Sequence, residues 1–133
     1  MKKNLIKVFI VFCLLITITA CGKKEDSKEF KLRVTASSWS GEGSMTTPEE
    51  EFTYDVELNK RYVVKEGSLG LVFTVTEINK DSITIKTEEP FSDNEEGINL
   101  RSNKKEFILE KDKKIKLNTP TMDAGGIYTL TLY

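Results

Sequence analysis

The 133-residue sequence contains no histidine, and its two cysteines, Cys13 and Cys21, both fall within the first 21 residues. The missing histidine removes the usual general base, the Ser-His nucleophile pair and the commonest zinc ligand. From residue 22 onward no cysteine is available, so no disulfide framework supports the fold and the core alone must hold it. No serine stands in a Gly-x-Ser-x-Gly elbow, and Gly67-Ser68-Leu69-Gly70 reads as a glycine-flanked turn. Charge of one sign is lacking as well: 20 basic residues face 21 acidic ones. That balance gives no basic surplus for nucleic acid.

Long hydrophobic runs are confined to the start. Val8 to Ile16 are nine apolar residues in a row, preceded by Lys2, Lys3 and Lys7. A bilayer span needs roughly 20 apolar residues. A basic start, a short apolar run and small residues at its end are the pattern of a secretory signal peptide. Cys13 is one more apolar residue of that leader.

Cys21 stands differently, at the end of Ile18-Thr19-Ala20-Cys21. This segment resembles the lipobox of bacterial lipoproteins, where an aliphatic residue and two small ones precede a cysteine. The resemblance covers residues 1 to about 24. It implies that residues 1–20 are removed and that the Cys21 thiol carries a diacylglyceryl group. Acyl chains in pairs anchor stably where one is marginal. The expected localisation is the outer face of a bacterial cell membrane. Removal of the leader takes three lysines and no acid, leaving 17 bases against 21 acids. Residues 21–30 read as the lipidated cysteine and a polar tether, since Gly22 to Glu29 hold no apolar side chain.

The mature chain is long enough for one domain with its own core, expected over 31–133. Its period is two. Leu32, Val34 and Ala36 alternate with Arg33, Thr35 and Ser37, and Phe52, Tyr54, Val56 and Leu58 alternate with polar residues. Leu71, Phe73 and Val75 form a third set, with Val72, Thr74 and Thr76 opposite. Ile83 and Ile85 follow a turn at 79–82. A second hairpin is expected at Lys111-Asp112, joining Phe107 and Leu109 to Ile115 and Leu117. In the last strand Tyr128, Leu130 and Leu132 share a face. Such alternation gives each strand one apolar and one wet face. The expectation is all-β: a small antiparallel β-sandwich, or partly open barrel, of about seven or eight strands.

The segment Thr119 to Tyr133 resembles the corner of immunoglobulin-like domains, with Asp123, Gly125 and Tyr128 as the matching residues. There the tyrosine hydroxyl bonds back to the nearby backbone. The alternative is a plain Asp-Ala-Gly-Gly turn followed by a half-buried tyrosine.

Candidate chemistry is sparse. Glu49-Glu50-Glu51, Glu88-Glu89 and the acids around Asp93 could supply a carboxylate pair. Neighbouring strand residues point to opposite faces, so solvated loop charge is the expected role. Asp93, Asn94, Glu95, Glu96 and Gly97 offer oxygen ligands, but their order departs from the EF-hand loop and reads as an acidic turn. No metal, cofactor or catalytic residue is expected. Trp39, the single tryptophan, lies in Ser37-Ser38-Trp39-Ser40-Gly41. It either closes the 32–37 strand and plugs the core, or stands in a loop as a partner contact with Glu42 and Met45 beside it.

These features point to a non-catalytic, membrane-anchored binding module of the cell envelope, monomeric and meeting a protein or glycan partner. A lipid-anchored inhibitor of a hydrolase is the alternative; it expects the loops 38–50 and 90–97 to share one end of the fold. A carboxylate-based hydrolase is the third, and it expects two buried acids in a cleft.

Overall fold

The computed structural model describes residues 29–41, 48–93 and 99–133. The leader, Cys21, the 21–28 part of the tether, Glu42, Met45 and 94–97 lie outside the described residues. Eight strands follow in order: β1 (Lys31–Ser40), β2 (Glu50–Asp55), β3 (Arg61–Val63), β4 (Val72–Ile78), β5 (Ser82–Thr87), β6 (Glu106–Glu110), β7 (Lys114–Asn118) and β8 (Ala124–Leu132). They form two four-stranded sheets, ordered β2-β1-β8-β7 and β3-β4-β5-β6, with every ladder antiparallel. The expected all-β sandwich is what the chain builds.

Each strand lies beside its neighbour in sequence, and β8 returns to pair with β1 over Leu32↔Leu132 to Ser40↔Ala124. The chain is thus an eight-stranded meander folded flat into two sheets. Immunoglobulin sandwiches use Greek-key connections instead, so the strand order differs from that resemblance.

The alternating pattern explains the layers. Leu32, Val34 and Ala36 of β1 and Tyr128, Leu130 and Leu132 of β8 point inward and are buried. They meet Phe73, Val75, Ile83, Ile85, Phe107 and Leu109 from the other sheet in one cluster. Burying a side chain of this size stabilises by about 1.5–3 kcal/mol, so no disulfide is needed.

The two seams between the sheets are closed by side chains. At β2/β3, Tyr54 meets Tyr62 edge-on and Tyr62 stacks on Phe73. The Tyr62 hydroxyl donates to the Asp55 carbonyl at 2.7 Å and accepts from the Glu57 amide at 2.8 Å. At β6/β7, Phe91 fills the gap edge-on to Tyr128, and Ser92 exchanges two 2.8 Å backbone bonds with Asn118.

Two local expectations are corrected, and one irregularity is added. Leu58 does not continue the β2 face: the chain turns at Asn59, whose φ is 62°, and Leu58 is 54% exposed. β6 and β7 do not form a hairpin ladder; β6 pairs with β5 and β7 with β8. The tight turn between them, with Asp112 at φ 63°, carries the chain from one sheet to the other. In β4 the pairing shifts between Val75 and Glu77, so Thr76 is the extra residue of a bulge.

Candidate functional site

In a meander, alternate connectors fall at the same end. The described parts of the connectors 41–49 and 88–105 meet with 64–71 and 119–123 at one end of the sandwich; 56–60, 79–81 and 111–113 meet at the other. Backbone bonds tie each group. At the long-connector end the Gly41 amide donates to the Asp123 carbonyl at 2.6 Å, and Ser92 pairs with Asn118. At the short-connector end Lys111 donates to Asp81, Asp112 to Leu132, and Val56 to Phe30. Lys31 and Tyr133 exchange backbone bonds there as well, so both ends of the domain lie at the short-connector end.

All three prolines, Pro48, Pro90 and Pro120, sit in the long connectors, where no ladder needs their missing N–H. The described ends of the 38–50 and 90–97 segments share this end of the fold, as the inhibitor reading expects.

Trp39 is neither in a loop nor a plug of the core. It lies in β1 opposite Gly125 of β8. Residues 32, 34 and 36 face inward, so Trp39, like Arg33, Thr35 and Ser37, faces outward. Its indole covers the Gly125 backbone: a Cβ at position 125 would stand 2.6 Å from Trp39 Nε1 and 2.5 Å from Thr119 Oγ1. Trp39 Nε1 is buried and has no hydrogen-bond partner among the described residues.

Gly126 serves the opposite face. A Cβ there would meet the Leu69 carbonyl at 2.6 Å and the Tyr128 ring at 2.7 Å. The vacant space lets the Tyr128 hydroxyl donate to the Leu69 carbonyl at 2.7 Å. Burial pushes the Tyr128 phenol up to about 12. This bond crosses the sandwich to the 64–71 connector and is not the local corner that Asp123, Gly125 and Tyr128 suggested. Between β7 and β8 the Thr119 hydroxyl accepts from the Gly126 amide at 3.0 Å, and the Thr121 hydroxyl bonds the Ala124 carbonyl.

The 88–105 connector is held by its own polar groups. The Ser102 hydroxyl donates to the Phe91 carbonyl at 2.6 Å, and Lys104 pairs with Asp93 at 2.6 Å. Leu100 and Met122 remain 46% and 74% exposed at this end.

A cleft of about 300 Å³ opens between the 64–71 connector and the start of the 88–105 connector, lined by Arg61, Glu66, Gly67, Val72, Glu88 and Glu89 among others. Arg61 grips Glu88 with two bonds, Nε to Oε1 at 2.6 Å and Nη2 to Oε2 at 3.1 Å. That grip holds the Glu88 carboxyl below and the Arg61 guanidinium above their ordinary ranges. The pair neutralises itself, and Glu66 and Glu89 give the rest of the cleft lining an acidic surplus.

The carboxylate-hydrolase reading needs two buried acids. Among the described residues the buried polar side chains are Thr84, Thr87, Ser92, Asn118 and Thr119. No group of three His, Cys, Asp or Glu side chains among the described residues is arranged to hold a metal ion. Sequence reasoning missed the Tyr128–Leu69 and Ser92–Asn118 contacts. The prolines in alternate connectors were the available signal for the long-connector end. Compared with known proteins, the chain matches no family model, no curated protein and no solved structure.

Proposed function

We propose that the protein is an exported lipoprotein, anchored through Cys21 to the outer face of the cell membrane, that acts as a non-catalytic binding module of the envelope. One observation supports it above the rest. The described chain enters at Glu29 and Phe30 on the short-connector end, and the long-connector end lies opposite. A tether from Cys21 to that entry point leaves the long-connector end free for a partner. Loops held by a rigid two-sheet frame are where binding residues concentrate. Exposed Leu100 and Met122 give that end apolar contact area.

An inhibitor of an envelope or host hydrolase is the second reading. It is favoured by the convergence of the described ends of the 38–50 and 90–97 segments, since inserting several loops into a cleft requires them at one end.

The test places a photo-crosslinking residue at Leu100 or Met122, and separately at Lys86 on an outer sheet face, in the full-length protein on cells. A discrete protein or glycan adduct from 100 or 122 alone supports the binding module. Inhibition of a captured hydrolase selects the second reading. Adducts from neither position, or equally from all, overturn both.

A further inference from the structure

The charge of the domain is segregated along its axis. The described residues of the four connectors at the long-connector end hold six acids (Glu49, Glu66, Glu88, Glu89, Asp93 and Asp123) against four bases. The three connectors at the opposite end hold three acids against four bases, the latter being Lys60, Lys80, Lys111 and Lys113; Lys60 pairs with Glu57 and Lys113 with Glu110 of β6. Beside those lysines Leu58 and Ile78 are 54% and 38% exposed. The segments that carry them run side by side: the Asn59 amide donates to the Val75 carbonyl and the Val75 amide to the Lys60 carbonyl, which sets the 56–60 turn alongside β4. Lys80 stands at the tip of the β4–β5 turn and Lys111 beside it, the Lys111 amide bonding the Asp81 carbonyl.

We infer that the short-connector end rests on the anionic membrane surface, with Leu58 and Ile78 at the headgroup boundary and Lys80 and Lys111 against lipid phosphates. This rests on the anchor at Cys21 proposed above. Three observations carry it. The chain reaches this end of the domain from Cys21 through only eight intervening residues, a span of at most about 25–30 Å. The end is the less acidic of the two, and lysines near an anionic leaflet are attracted while the acidic opposite end is repelled. Its two exposed aliphatic side chains are flanked by lysines, a pattern suited to the boundary between headgroups and acyl chains. A weak contact suffices, because the tether holds the surface at high effective concentration. The long-connector end then projects away from the bilayer.

The experiment uses the full-length lipoprotein matured in a bacterial host and reconstituted into phosphatidylglycerol–phosphatidylcholine vesicles. Residues 22–133 lack cysteine, so Lys80→Cys and Met122→Cys each give one labelling site once Cys21 is acylated. An environment-sensitive label at 80 is expected to be shielded several-fold from an aqueous quencher relative to the label at 122. High salt and added Lys111→Glu, Leu58→Ser and Ile78→Ser substitutions should abolish the shielding while the protein still floats with vesicles. Equal accessibility at 80 and 122 in floating protein overturns the inference and leaves the anchor standing. Failure to float with vesicles overturns the anchor and the inference together.

Discussion

Tyr128 of β8 donates its hydroxyl to the carbonyl of Leu69, 59 residues earlier in the chain, at 2.7 Å. The bond joins one sheet to a connector of the other at the long-connector end. It anchors the 64–71 segment on the buried side, opposite the cleft beside Arg61. Removing it by Tyr128→Phe leaves the Leu69 carbonyl unpaired, which costs about 1–3 kcal/mol. Denaturant unfolding is expected to show that loss, and amide exchange in 64–71 should accelerate more than in β1.

The same phenol makes stability depend on alkaline pH. Burial raises its pKa to about 12 from the ordinary value of 10.0. Between those values the unfolded chain has released a proton that the folded chain retains. Stability therefore is full below pH 10 and falls as pH rises toward 12. The slope should be shallower in Tyr128→Phe. An unchanged slope in that variant would assign the alkaline loss to other groups.

Phe91 is the side chain that closes the β6/β7 seam, 1% exposed and edge-on to Tyr128. Phe91→Ala opens a cavity there and should destabilise by about 3–5 kcal/mol. Phe91→Leu keeps most of the volume and should cost less. If the two variants unfold at the same denaturant concentration, the seam is not closed by packing at this position.

Much of this frame was legible because alternation is a local signal. Leu32, Val34 and Ala36, and Tyr128, Leu130 and Leu132, point inward as their spacing predicts. β3 was invisible because three residues, Arg61 to Val63, are too few to show a period. The β6–β7 turn looked like a hairpin because the sequence around Lys111 and Asp112 is a good turn; which strand each side pairs with is decided by β5 and β8, far along the chain. The bulge at Thr76 has no local marker, since a bulge needs a partner strand to count against. At the long-connector end the obstacle was similar. Trp39 amid serines and glycines looks like a loop residue, but Gly125 supplies the surface it covers, and only the β1–β8 register reveals that pairing.

That register yields a sharp test, because Trp39 is the single tryptophan and its fluorescence reports its own surroundings. Gly125→Ala puts a methyl group where Trp39 Nε1 and Thr119 Oγ1 would lie within 2.6 Å and 2.5 Å. The indole must shift, so its emission should move to longer wavelength, and overpacking of this kind costs about 1–3 kcal/mol. Gly126→Ala collides with the Leu69 carbonyl, a backbone atom that cannot rotate aside, and with the Tyr128 ring. It should cost at least as much while leaving the Trp39 emission closer to that of the native protein. Combining Trp39→Phe with Gly125→Ala should recover part of the loss, since a phenyl ring is smaller than an indole and contacting pairs are non-additive. Strict additivity of the two substitutions would mean that Trp39 does not rest on Gly125.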